Sequence, residues 1–209
     1  MNRFSQIACD GIWRQNPVLV QLLGLCPLLA VSTSFVTAFS LGVITLFVLT
    51  ASNIVISIIR LLLHDAMRMP TQIIVIATFV TLSDIVLQAW YFELHHRIGL
   101  FLALIFTNCT LLGRAEIFTT RNPIANSALD GFMMGLGFLW VLVLMGSIRE
   151  TLGSGTLFSN MHLLLGPIGE NLEITFSTKG FLLLVLPPGA FITLGLLIAS
   201  KNYLFNNQE

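Results

Sequence analysis

The chain has 209 residues, of which 56% are apolar and only 10% are charged. A typical soluble domain carries about 25% charged residues, so this composition excludes an ordinary water-soluble globule. The formal net charge is zero, which excludes a basic surface for nucleic acid. Three cysteines cannot all pair, so a disulfide scaffold is excluded as well. The length suits about six membrane-spanning helices, because each needs about 20 residues.

The N-terminal residues 1–15 are predicted to form an amphipathic helix on the membrane surface. Their apolar residues recur at helical spacing, with Arg3, Asp10 and Arg14 among them. Cys9 belongs to this helix and is interpreted as structural.

The spacing of the charged residues predicts six hydrophobic segments, and therefore an all-α integral membrane protein with a single domain. The segments are residues 17–31, 35–59, 70–92, 98–113, 125–148 and 180–200. His95 and His96 fall in the predicted loop after the third segment. A longer extramembrane loop is predicted at 149–179, because its Gly, Ser, Asn and Pro clusters favour loop structure.

The distribution of basic residues predicts the orientation, because Lys and Arg are enriched on the cytoplasmic side of membrane proteins. Seven basic residues lie on the side of the N-terminus: Arg3, Arg14, Arg60, Arg68, Arg114, Arg121 and Lys201. Three lie on the other side: Arg97, Arg149 and Lys179. Both termini are therefore predicted to be cytoplasmic.

The first and fourth segments are too short to cross a bilayer as straight helices. Segments 17–31 and 98–113 would reach about 22–24 Å at 1.5 Å per residue, whereas the hydrocarbon core is roughly 30 Å thick. They hold equivalent places in two three-helix halves, residues 16–92 and 97–200. Interrupted segments at matching positions are typical of an inverted repeat with a site at the membrane midplane. The sequence therefore predicts two inverted three-helix repeats, each beginning with a broken half-helix.

One cysteine lies at the break of each short segment. Cys26 stands between Gly24 and Pro27, and Cys109 directly follows Asn108. A disulfide is one possible use of such a pair. Zinc usually takes four N or S ligands, and no His falls in the apolar centres of the segments. A [2Fe–2S] cluster also takes four ligands, so this chain would supply two and a partner the others. Both thiols could instead serve only as small apolar side chains, and that alternative stays open.

Several motifs carry a family resemblance over essentially the whole chain. They are QLLGLCPLLAV at 21–31, TNC at 107–109, GRAE at 113–116, ALDGF at 128–132, RE at 149–150, GSGTLF at 153–158 and LPPGAF at 186–191. With these motifs the chain resembles the RnfE/NqrD family of membrane subunits of the Rnf and Nqr ion-translocating oxidoreductases. The family often continues GRAE with Ala-Phe-Ala, where this chain has Ile117, Phe118 and Thr119.

The resemblance implies a [2Fe–2S] cluster held inside the membrane between this chain and RnfA, its inverted-topology partner. Cys26 and Cys109 would be the ligands from this chain. The cluster would relay electrons across the membrane in a complex that couples ferredoxin/NAD redox chemistry to Na⁺ or H⁺ translocation. The resemblance also implies the Rnf subunits B, C, D and G as further partners and the bacterial inner membrane as the location. The chain would be an enzyme subunit without a complete active site.

Four charged residues are candidates for an ion pathway, because ionisable groups inside a membrane are costly and usually functional. They are Asp84, Asp130, Arg114 and Glu116. Asp84 could instead form a hydrogen bond to Ser83 or to a neighbouring helix, and Asp130 could favour a helix N-terminus. Arg114 and Glu116 could pair with each other or with a partner subunit.

Two other functions remain open on the sequence. The chain could resemble a secondary ion transporter, with Asp84 and Asp130 active and the cysteines inert. It could also be a purely structural membrane subunit without a cofactor.

Overall fold

The computed structural model describes residues 10–60, 67–120, 122–157, 161, 174–175 and 182–206. Within these ranges the regular structure is helical apart from a pair of two-residue antiparallel strands. The helices are α1 (Leu25–Val31), α2 (Phe35–Ile59), α3 (Arg68–Trp90), α4 (Phe92–Phe106), α5 (Cys109–Arg114), α6 (Ile124–Gly153), α7 (Leu182–Val185) and α8 (Pro187–Asn206). Two π-helical turns occur at Asp10–Arg14 and at Ala115–Thr119, the second continuing directly from α5. The strands are β1 (Thr156–Leu157) and β2 (Ile174–Thr175).

Helices α2 and α6 form the centre of the molecule and pack along most of their length. Glycines allow their backbones to approach closely, because a Cβ on Gly135 would lie 3.0 Å from the Leu46 Cα atom. Phe138 on α6 and Leu41 and Leu49 on α2 are fully buried in the core. The central pair is therefore a rigid support for the shorter elements around it.

The outer surface of the helices is apolar, as expected of a chain surrounded by lipid. Trp90 and Leu100, for example, are 81% and 89% exposed. Four helical stretches are long and apolar enough to cross a membrane: Phe35–Ile59, Arg68–Trp90, Phe92–Thr119 and Ile124–Gly153. The predicted all-helical membrane class is confirmed, whereas the six-segment inverted repeat stays a prediction.

The first predicted segment is helical only in its second half. Residues 17–21 form turns, residues 22–24 are irregular with Leu22 at a φ of 54°, and α1 begins only after Gly24. Pro27, which the sequence suggested as an interruption, lies in the first turn of this helix. A proline there costs little, because the N–H groups of a first turn have no partner within the helix. The break thus lies at Gly24 rather than at Pro27.

Two predicted loop regions are wrong at their boundaries. The loop expected to hold His95 and His96 is reduced to Tyr91, so both histidines lie on α4. Helix α6 continues to Gly153, which places Arg149 and Glu150 inside it rather than in the predicted 149–179 loop. Most of that loop, and most of the predicted surface helix with Cys9, lie outside the described residues.

Candidate functional site

The two short helices α1 and α5 begin in different ways at the breaks of the chain. Gly24 precedes α1 with φ 73° and ψ 25°, a left-handed conformation that favours glycine. Asn108 precedes α5, and its side-chain Oδ1 accepts a hydrogen bond from the Thr110 backbone N–H at 2.9 Å. Asparagine is among the preferred residues at this capping position. Each break is followed at once by a cysteine-bearing first turn.

These two helix starts are in contact with each other. A Cβ placed on Gly24 would lie 2.8 Å from Thr110 Oγ1 and 2.9 Å from Asn108 Oδ1. Gly24 is two residues before Cys26, and Asn108 and Thr110 flank Cys109. The fold therefore brings the two cysteine-bearing turns to one place.

The meeting point lies near the middle of α6. The same Cβ on Gly24 would be 2.9 Å from Cε2 of Phe138. At 1.5 Å per residue Phe138 lies about 12 Å along α6 from Asp130 and about 17 Å from Arg149. The sum of these two distances is close to the thickness of a hydrocarbon core, which is roughly 30 Å.

The far ends of α1 and α5 are held by opposite ends of α6. Arg114, the last residue of α5, forms a bidentate ion pair with Asp130, with 3.1 Å between Nε and Oδ2. Arg149 donates hydrogen bonds to Ser32 Oγ at 2.7 Å and to Leu29 O at 3.4 Å, both at the end of α1. The two helices thus start together near the middle of α6 and run toward its opposite ends.

Cys26 and Cys109 are both free thiols, and both are exposed on the surface of the chain. The disulfide that the sequence left open is therefore not formed. Among the described residues there is no group of three or more His, Cys, Asp or Glu side chains that could hold a metal ion. Two outward-facing thiols at one place can still supply half of a four-ligand site that a second chain completes.

Two buried polar atoms on the residues that flank Cys109 have no hydrogen-bond partner among the described residues. They are Asn108 Nδ2 and Thr110 Oγ1, and their residues are only 2% and 1% exposed. Because Asn108 Oδ1 is occupied by the Thr110 N–H, the orientation of the amide is fixed and Nδ2 is the free donor. Buried donors are nearly always paired in native proteins. Unused hydrogen-bonding capacity therefore lies in the helix start that meets the Cys26-bearing turn.

Arg149 and Glu150 have roles that the sequence did not indicate. Arg149 also donates to the carbonyl oxygens of Leu184 at 3.1 Å and Val185 at 2.6 Å, which end α7. Glu150 Oε2 accepts from the backbone N–H of Phe35 at 2.7 Å and so caps α2. Both residues are 1% exposed. The sequence placed Arg149 and Glu150 in a loop because they directly follow an apolar span. Only the packing of α1, α2 and α7 against α6 shows that both residues are buried.

The other predicted charged residues fall into two separate places. Asp84 Oδ1 lies 2.9 Å from His95 Nε2 on the neighbouring helix α4, so its partner is not Ser83. Glu116 accepts a hydrogen bond from Gln72 Nε2 at 2.7 Å, close to the Arg114 pair. Asp84 lies twelve residues beyond Gln72 on α3, about 18 Å along the helix. The structure thus joins three of the four candidates at one end of α6 and leaves Asp84 apart.

Arg114 does not pair with Glu116, one of the alternatives that the sequence left open. Side chains two residues apart on a helix point to different sides, so Arg114 and Glu116 do not face each other. Asp130 is also not explained by the helix N-terminus, because α6 begins six residues earlier at Ile124. The ion pair with Arg114 is the contact that accounts for this buried acid.

Comparisons with known proteins agree with this architecture. The family model described as "Rnf-Nqr subunit, membrane protein" matches residues 4–198. A protein of Pseudoalteromonas atlantica, named as the E subunit of an ion-translocating oxidoreductase complex, is 50% identical over 98% of this chain and 89% of its own length. Proteins of the same name from Pseudomonas aeruginosa strain LESB58 and Cellvibrio japonicus are 50% and 48% identical, each over 95% of this chain and 84% and 85% of their own lengths. The chain is a multi-helix membrane protein, and it belongs to the Rnf-Nqr family of membrane subunits.

Proposed function

We propose that this chain is the E subunit of an ion-translocating oxidoreductase complex and holds half of a [2Fe–2S] cluster through Cys26 and Cys109. The name shared by relatives of about 50% identity supports the first part. The observation that carries the second part is the meeting of two cysteine-bearing helix starts at the middle of α6. Such a cluster, when bound, takes up and releases single electrons, which makes it suitable as a relay.

The two thiols fit the chemistry of this group. A [2Fe–2S] cluster is normally held by four cysteine thiolates. Cys26 and Cys109 are free and exposed, and they stand on helix starts that contact each other. The remaining two ligands would come from a homologous subunit, RnfA in an Rnf complex, whose own cysteines would face this surface. The role of Cys26 and Cys109 is to lose their protons, bind iron and hold the group at mid-membrane depth.

The same arrangement supports six segments in two inverted repeats. Helices α1 and α5 would be the half-helices that open each repeat, since they start together and run to opposite ends of α6. Helix α8, with 20 residues, would be the sixth segment. In the bacterial inner membrane both termini would face the cytoplasm, on the side of Arg60 and Arg114.

The charged groups near α3, α5 and α6 support a part in ion translocation. Asp130 and Glu116 are carboxylates held in place by Arg114 and Gln72, and Asp84 forms a second, separate site with His95. Ionisable groups at membrane depth are costly and commonly line an ion path. We place this path beside the redox site rather than through it, because the carboxylates lie toward the ends of the helices.

The redox proposal is tested by removing each thiol in the purified complex. In Cys26→Ala and Cys109→Ala the EPR signal of one reduced [2Fe–2S] cluster should disappear, and iron and acid-labile sulfide should fall in proportion. Cys9→Ala is the matched control, because it removes the third cysteine of the chain and should leave the signal intact. An EPR signal of unchanged intensity and shape in Cys26→Ala would overturn the assignment.

The same experiment separates the other two functions. A protein of the secondary-transporter kind would contain no iron or acid-labile sulfide at the level of one cluster. A purely structural subunit would support normal turnover of the complex after both thiols are replaced. Either result would contradict the proposed relay.

A further inference from the structure

We propose that Asn108 and Thr110 donate hydrogen bonds to the thiolate sulfurs of Cys26 and Cys109, and that these bonds raise the reduction potential of the group held there. This inference rests on the proposed function. It assigns a role to two polar atoms, Asn108 Nδ2 and Thr110 Oγ1, that the helix cap does not use. They would act as residues that tune the potential, and they would not be ligands.

Both side chains have unsatisfied hydrogen-bonding capacity. Asn108 Nδ2 and Thr110 Oγ1 are shielded from water by the chain itself and have no partner among the described residues. A buried donor that is left unpaired costs free energy, so evolution rarely retains one without an acceptor. The two atoms flank Cys109 in sequence, and Thr110 Oγ1 and Asn108 Oδ1 border Gly24, two residues before Cys26. Both residues therefore lie where the two cysteine-bearing helix starts meet.

Neither donor is hydrogen-bonded to a cysteine sulfur among the described residues, and a neutral thiol is only a weak acceptor. The thiolate formed on binding iron carries negative charge and accepts strongly. Each thiol releases its proton when it becomes a ligand. A strong acceptor for Asn108 and Thr110 would thus arise only with ligation.

The direction of the effect follows from the charge on the sulfurs. One-electron reduction adds a negative charge that spreads onto them, and N–H and O–H donors stabilise this charge more in the reduced form. Hydrogen bonds to the sulfurs are among the factors that set the potentials of iron–sulfur clusters. Removing a donor should therefore lower the reduction potential.

The test is an EPR-monitored redox titration of the purified complex with Thr110→Val and Asn108→Ser. Thr110→Val replaces the hydroxyl by a methyl group of similar size, and Asn108→Ser removes the amide donor while keeping a good helix cap. Thr110→Ser keeps the hydroxyl. Thr45→Val is the distant control, because it removes an equally buried hydroxyl from α2. Thr110→Val and Asn108→Ser should shift the cluster potential to more negative values at full iron content, whereas Thr110→Ser and Thr45→Val should not.

Each outcome decides the inference. An unchanged potential in Thr110→Val and Asn108→Ser with a full cluster signal overturns it and leaves the proposed function intact. Loss of the cluster in Thr110→Val but not in Thr110→Ser supports it, because the hydroxyl is then needed for binding. Loss in both variants overturns it, since the position would then act through packing. Absence of a signal that depends on Cys26 in the unmodified complex would contradict the proposed function itself.

Discussion

The two breaks that carry the cysteines differ in how they begin and agree in how they are anchored. Helix α1 starts after a glycine in a left-handed conformation with no side-chain cap, and α5 starts after an asparagine that caps it. The two helix starts fit together, because Gly24 has no side chain and Asn108 and Thr110 fill the space beside it. At the far ends, each short helix is held by a buried arginine, Arg149 for α1 and Arg114 for α5.

Two short helices can therefore be placed in the middle of a membrane protein when both of their ends are held. A helix of six or seven residues has little stability of its own, because helix formation is cooperative with a costly nucleus. Here the stability comes from contacts at both ends of each helix: the two starts contact each other, and Arg149 and Asp130 of α6 hold the far ends. The cysteines therefore stand on supported helices even though these are short, which suits the proposed cofactor site.

The largest effect is expected from breaking the anchor of α5. Arg114→Gln leaves the buried Asp130 without its charged partner, and loss of one member of a buried ion pair costs about 3–5 kcal/mol. We expect the purified complex to aggregate at a clearly lower temperature, measured as the temperature of half-loss of the detergent-soluble form. Arg97→Gln, which changes an exposed arginine on α4, is the control and should shift this temperature little.

The double variant Arg114→Gln with Asp130→Asn sharpens this test. It removes both charges together, so much of the loss should be regained, because no uncompensated charge remains. If the double variant is as unstable as Arg114→Gln, then the ion pair is not what holds the end of α5.

An intermediate effect is expected from filling the space at the first break. Gly24→Ala forces a left-handed conformation that costs a side chain about 1–2 kcal/mol, and its Cβ would displace Thr110 and Asn108. Overpacking of this kind adds about 1–3 kcal/mol. Unfolding of the purified chain followed by tryptophan fluorescence would report the loss. Gly195→Ala on α8 is the matched control. Nothing lies within 4 Å of the added Cβ, so this variant should keep the stability of the unmodified chain.

Much of the helical framework could be predicted from the sequence because charge-free runs mark membrane-length segments. The predicted second segment has the same bounds as α2, and the breaks before Cys26 and Cys109 lie in the two segments that were too short. A short apolar run that is interrupted by glycine or asparagine is a local pattern that indicates the position of each break. Local patterns therefore identified where the thiols stand.

The partners of the charged groups could not be predicted because they come from distant parts of the chain. Arg149 contacts Ser32 and Leu184, and Asp84 contacts a histidine that the sequence placed in a loop. No spacing rule relates such residues. The tight reversal at Tyr91 also made the loop prediction wrong, since a single residue joins α3 and α4 where a longer connection was expected.

The smallest effect is expected from the cap at the second break. Asn108→Ala removes the acceptor of the Thr110 N–H, and loss of such a cap typically costs about 1 kcal/mol. Asn108→Ser should cost only a small part of this, because serine caps nearly as well. Thermal unfolding of the two variants beside the unmodified complex measures the difference. Equal stability of Asn108→Ala and Asn108→Ser would mean that contact with Gly24, rather than the cap, determines how α5 begins. The two breaks would then depend on one shared contact instead of two separate devices.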